Sequence, residues 1–218
     1  MIGLLACGIG GCFGTVSDPV RHYYTLHLEP LHQHPGAPHM PGLLRVRDLD
    51  SEAAYDRFQI VMRRSPFELS YRQRDVWAVK PGRMVSDLIA RGIGDQNIFA
   101  GVTRELGERR PDYSISGELR ALEIYDSDDL WFAHLALFLQ LTHSESGKIL
   151  WTFTFDDRKR VPPQDFSHAV RSVSELLTDA VEKALDSMEH VRSPDDVGPE
   201  DLKEAPLIKP SAPSAPRP

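Results

Sequence analysis

Cysteine is nearly absent from this chain. Its 218 residues carry two, Cys7 and Cys12, both at the front, so no disulfide framework can hold a folded body. A bridge between these two would close only a tiny loop. Long apolar runs are lacking as well. The longest internal one, Leu130 to Leu141, is broken by His134 and falls well short of the roughly 20 residues that a membrane-spanning helix requires. Positive charge is not concentrated anywhere: 25 Lys and Arg stand against 32 Asp and Glu, for a net charge of −7. Without a basic patch to neutralise phosphates, a nucleic-acid partner is excluded. A Gly-x-Ser-x-Gly elbow, a phosphate-binding loop and a dinucleotide fingerprint in strand-turn-helix context are all missing. The acid pairs Asp128-Asp129 and Asp156-Asp157 read as solvated residues at strand ends, not as a carboxylate dyad. These absences argue against an enzyme and against any cofactor.

What the front of the chain does have is a pattern around each cysteine. In Leu4-Leu5-Ala6-Cys7 and Ile9-Gly10-Gly11-Cys12 an aliphatic residue stands three positions before the Cys and a small residue just before it. That is the pattern of a bacterial lipobox, where a peptidase cuts before the Cys and the thiol is acylated. The stretch is apolar up to Asp18, but the basic start of a full leader is missing, since the first cation is Arg21. Residues 1–11 therefore read as a signal peptide shortened at its front. Cys12 leaves the longer leader and is the preferred attachment site, with Cys7 as the alternative. A buried N-terminal strand is the plain competitor. Acyl chains contribute about 0.8 kcal/mol per buried CH₂, so several on one Cys would hold the protein at a membrane.

With 41% hydrophobic and 26% charged residues, the chain can build a core without cross-links. The expected organisation is a tether over 12–21, one folded domain over 22–191, and a disordered Pro- and Ser-rich tail over 192–218 that cannot offset its ordering entropy. Within the domain, Tyr23–Leu31 and Leu43–Leu49 read as strands separated by a proline-broken loop. Phe58–Arg64 and Phe67–Trp77 read as a hairpin turning at Ser65-Pro66. Pro81 opens a helix whose apolar face is Met84, Val85, Leu88 and Ile89, ending at Gly92 or Gly94. Three strands follow as an antiparallel meander. In the first, Tyr113, Ile115, Gly117, Leu119 and Ala121 share one face. The second, Trp131–Thr142, has one wholly apolar face and carries His134, read as a satisfied interior or edge histidine, on the other. The third carries Ile149, Trp151, Phe153 and Phe155. A long helix then runs from Phe166 to Leu185 behind a cap at Asp165. Two helices and roughly six strands predict a single α+β domain, a largely antiparallel or mixed sheet packed against two helices.

Histidine is unevenly spread, with five of nine between His22 and His39. Imidazoles bind zinc and copper, and His32, His34 and His39 could share an ion. The alternative function is therefore a periplasmic metal-binding lipoprotein using the loop 22–39. A polar loop with no metal is the plainer reading, because proline breaks the defined spacing that structural sites need.

The run Tyr55 to Pro81 carries a further pattern. Arg57-Phe58-Gln59-Ile60-Val61-Met62-Arg63 is followed by Ser65-Pro66-Phe67-Glu68-Leu69-Ser70-Tyr71 and by Trp77-Ala78-Val79-Lys80-Pro81, with Tyr23-Tyr24-Thr25-Leu26 upstream. Together with the lipobox, this resembles the ABC-type transport auxiliary lipoprotein family, which includes PqiC-like lipoproteins of intermembrane transport systems. Phe58 departs from the family's usual Pro, and the His-rich loop and Pro-rich tail are additions. The resemblance implies a non-catalytic auxiliary subunit, lipid-anchored on the periplasmic side of the outer membrane. Its implied partners are a mammalian-cell-entry (MCE) domain protein and the permease and ATPase of an ABC-type system moving lipids or other hydrophobic compounds, with possible homo-oligomers. Tyr23, Tyr24, Arg63, Ser65, Pro66, Tyr71, Trp77 and Pro81 would be family-motif residues, structural or partner-facing.

Overall fold

The computed structural model describes residues 20–32, 40–127, 130–188 and 191. In chain order its elements are β1 (His22–Tyr24), β2 (Met40–Val46), β3 (Asp50–Ser51), β4 (Gln59–Ser65), β5 (Glu68–Trp77), α1 (Pro81–Gly94), β6 (Phe99–Thr103), β7 (Tyr113–Ser127), β8 (Leu130–His143), β9 (Ile149–Val161) and α2 (Phe166–Met188). All nine strands join one mixed sheet. The α+β single-domain expectation therefore holds.

β7, β8 and β9 form the antiparallel meander, paired along nearly their whole lengths. The other edge of β7 is shared by three strands in series, all parallel to it. β2 pairs at Tyr113–Ile115, β3 at Glu118–Leu119 and β4 at Glu123–Tyr125. β5 returns antiparallel to β4, and β1 closes that side parallel to β5.

Both helices cover the same face, where aliphatic side chains of α1 and α2 share one cluster with Leu44, Ile60, Ile115, Leu122, Leu135 and Trp77. Pro81 begins α1 and Gly94 ends it, because proline's absent N–H costs nothing in the first turn. The Asp165 carboxylate caps α2 by accepting from the His168 N–H at 2.9 Å.

Three local expectations need correction. The strand read over Tyr23–Leu31 is only three residues long. Beyond it the backbone crosses α2, where His27 and Glu29 N–H groups donate to Ser174 Oγ and Thr178 Oγ1, each at 3.1 Å. The helix hydroxyls take the place of a strand partner. Second, Ala121 does not share a face with Tyr113. A register shift between Leu119 and Ala121 inserts one residue, so Leu122 and Ile124 join the main core while Ala121 turns away. Third, Asp156-Asp157 lies within β9, which runs on to Val161. β3 and β6 carry too little alternation to be read from sequence.

Candidate functional site

The face of the sheet opposite the helices has a smaller core of Tyr55, Val61, Ala121 and Ala136, with Leu69 and Tyr71 against it. Beside it is a polar cluster built from five parts of the chain. Glu123 sits on β7, with its side chain 1% exposed. Tyr55, in the turn between β3 and β4, donates its O–H to Glu123 Oε2 at 2.7 Å. Arg63 on β4 donates Nε to both carboxylate oxygens at 2.8 and 3.0 Å, and its NH2 to Tyr55 Oη at 2.8 Å. His134 on β8 bridges Glu123 and Asp156 of β9 through Nδ1 at 2.9 Å and Nε2 at 3.0 Å.

The electrostatics follow from this geometry. Burial by itself would push the Glu123 carboxyl up, but hydrogen bonds from His134, Arg63 and Tyr55 outweigh it and hold the group down at about 2. Tyr55 is pushed up to about 12 by burial and by its hydrogen bond to Glu123. Hydrogen bonding to Glu123 raises Arg63 despite its partial burial. A carboxylate so fully occupied is a poor general base, because its lone pairs already accept from three side chains. What the cluster does is clamp: it fastens the β4–β5 hairpin and the Tyr55 turn to the meander. An open cleft of about 420 Å³ lies over it, lined in part by Arg120, Tyr125 and Arg158.

The hairpin that Arg63 anchors ends in an ordered turn. Ser65 Oγ accepts from the Phe67 N–H at 3.2 Å, and Arg63 NH1 donates to the Pro66 carbonyl at 3.5 Å. The turn presents Phe67 with 98% of its surface exposed.

The other motif residues divide by environment. Trp77 is buried in the main core, and its backbone N–H donates to the Phe58 carbonyl at 2.6 Å. Pro81 is buried at the start of α1. Tyr71 is half-buried beneath the Arg57 guanidinium, 3.8 Å from the ring centre. Tyr24 donates to Asp75 Oδ1 at 3.5 Å, and burial together with that carboxylate raises its phenol. Tyr23 is exposed.

His32 Nδ1 lies 2.9 Å from Glu182 Oε1, within hydrogen-bond reach. His34, His39, Cys7, Cys12 and the segment 192–218 lie outside the described residues. Among the described residues, no group of three His, Cys, Asp or Glu is placed to hold a metal ion, and no helix is long and apolar enough to cross a membrane.

Sequence reasoning found Arg63 and singled out His134 but missed Glu123 and Tyr55. The available signal was Glu123 standing among Ala121, Leu122 and Ile124, an acid in an apolar run that needs a buried partner.

A nine-stranded mixed sheet with two helices on one face and a clamped hairpin on the other defines a single-domain α+β module. The chain belongs to the family of ABC-type transport auxiliary lipoprotein components, whose pattern matches residues 24–184. That family is a lipoprotein component of transport complexes. Among solved structures, protein XCC0632 from Xanthomonas campestris is similar at 21% identity, covering 77% of this chain and 94% of its own, with a TM-score of 0.66. An uncharacterised protein is similar at 12% identity, covering 78% and 99%, with a TM-score of 0.58. Both likenesses concern the fold. Among curated protein sequences none matches the chain.

Proposed function

We propose that this protein is a non-catalytic auxiliary subunit of an ABC-type, MCE-containing system that moves lipids or other hydrophobic compounds between membranes. In this reading Cys12 carries the acyl anchor, the domain stands on the periplasmic side of the outer membrane, and it engages an MCE-domain protein that works with the permease and ATPase. The family match over residues 24–184 carries the proposal. The lipobox before Cys12 supports the anchor, and the fully engaged Glu123 supports a role without catalysis.

The test is purification from native membranes of the wild-type chain and of Cys12→Ala. Wild type is expected to carry acyl chains by intact mass and to co-purify with an MCE-domain protein. Cys12→Ala is expected in the soluble fraction. Membrane retention of Cys12→Ala sinks the anchor assignment and moves attention to Cys7. Acylated wild type that brings down no transporter component sinks the transport role.

A further inference from the structure

The direction of β1 and the exposure of Phe67 together concern how the domain meets a bilayer. β1 runs parallel to β5, with His22 opposite Asp75 and Tyr24 opposite Trp77. β5 starts at the hairpin turn, where Glu68 pairs with Ser65, and runs away from it. A strand parallel to β5 has its N-terminal end on the turn side, so β1 is entered at His22 from the side of the turn. From Glu68 to Asp75, the residue opposite His22, β5 spans about 24 Å at strand spacing. The ten residues from Cys12 to His22 reach at most about 36 Å. Drawn out in that direction, the tether would carry Cys12 at most about a dozen ångströms beyond the level of the turn.

At that level the molecule offers an aromatic ring to solvent. Phe67 is 98% exposed, the most exposed of the large hydrophobic residues described, on a turn kept rigid by the Ser65 and Arg63 hydrogen bonds. Two guanidinium groups sit at its base: Arg64, 3.8 Å from Glu68, and Arg63, which donates to the Pro66 carbonyl at 3.5 Å. An apolar tip with guanidinium groups at its base suits the boundary between acyl chains and headgroup phosphates. On the neighbouring β7 end, the Asp126 carboxylate accepts from the Trp131 indole N–H at 2.9 Å.

We infer that the β4–β5 hairpin is a second membrane contact, with Phe67 inserted among the lipids beside the acylated tether. The hairpin would then fix the orientation of the domain, since a single point of attachment leaves the body free to tumble and a second does not. This rests on the anchor reading of Cys12.

The experiment uses the full-length acylated protein with Phe67→Cys, labelled with an environment-sensitive fluorophore and reconstituted into phosphatidylethanolamine–phosphatidylglycerol vesicles. Leu106→Cys is the control, 70% exposed and between β6 and β7 at the opposite end of β7. The expected result is a blue shift at 67 and quenching by lipids spin-labelled in their acyl chains, with neither at 106. If the acylated protein floats with vesicles while the probe at 67 matches the one at 106, the hairpin contact is overturned and the anchor stands. If intact mass shows no acyl chain and the protein does not float, the anchor reading falls and the contact with it.

Discussion

Glu123 shows how one side chain can be both costly and indispensable. A carboxylate taken out of water is stable only while its partners remain, and here Arg63, Tyr55 and His134 all donate to it. Folding depresses its pKa from an ordinary 4.5 to about 2. The depressed value belongs to the folded state, so the stabilisation is fully present above 4.5 and is lost as pH falls from there toward 2. That window corresponds to about 3 kcal/mol. Urea denaturation over a pH series should show wild type weakening across it and Glu123→Gln changing far less there. At neutral pH the Gln variant should be less stable by roughly 3–5 kcal/mol, because Arg63 loses its buried counter-charge. A flat wild-type profile below pH 4.5 would contradict the clamp.

At the scale of elements, β7 is the strand on which the others converge. Gly117 is the place where it has no tolerance: a Cβ there would stand 1.9 Å from the Phe138 carbonyl oxygen of β8. Gly117→Ala should therefore part the two longest paired strands, costing roughly 3 kcal/mol or more. The expected signature is loss of the folded protein in thermal melts. The segment after β1 depends on α2 in a milder way. Removing the hydroxyls with Ser174→Ala and Thr178→Val should leave α2 intact, since within the helix they only donate to the Val170 and Ser174 carbonyls, which the backbone ladder engages without them. Amide hydrogen exchange at His27 and Glu29 should speed up, by an amount equivalent to about 1 kcal/mol for each bond lost.

For the whole molecule, the question is which residues keep the fold and which are available to other surfaces. Trp77 and Phe67 belong to the same motif yet are 2% and 98% exposed. Phe67→Ser should change stability by less than about 0.5 kcal/mol, whereas Trp77→Ala should cost roughly 3–5 kcal/mol. Chemical denaturation of both variants checks this. Comparable losses for the two would make the turn a part of the core, and with it end the proposal that Phe67 meets a membrane. The layout agrees with an auxiliary subunit: helices shield one face, and the hairpin and the cleft over Glu123 remain open to contacts.

Local pattern was enough for the hairpin turn at Ser65-Pro66, the start of α1 at Pro81, the Asp165 cap, the meander and the resemblance to the family, since each depends on residues within a few positions of one another. His134 was legible as a satisfied histidine because it interrupts an apolar strand. The extra residue between Leu119 and Ala121 was not legible, because alternation reads the same with or without a bulge until a partner strand sets the register. That bulge decides the site: without it Glu123 would face the helices, and Arg63, 60 positions away, would have no carboxylate to meet. Likewise β2, β3 and β4 share one edge of β7 through pairings that no short stretch of sequence encodes. Sequence alone thus determined the elements and their capping, through short-range sterics and periodicity. Only the tertiary structure decided which face each charge occupies, because that is set by hydrogen-bond register between distant strands.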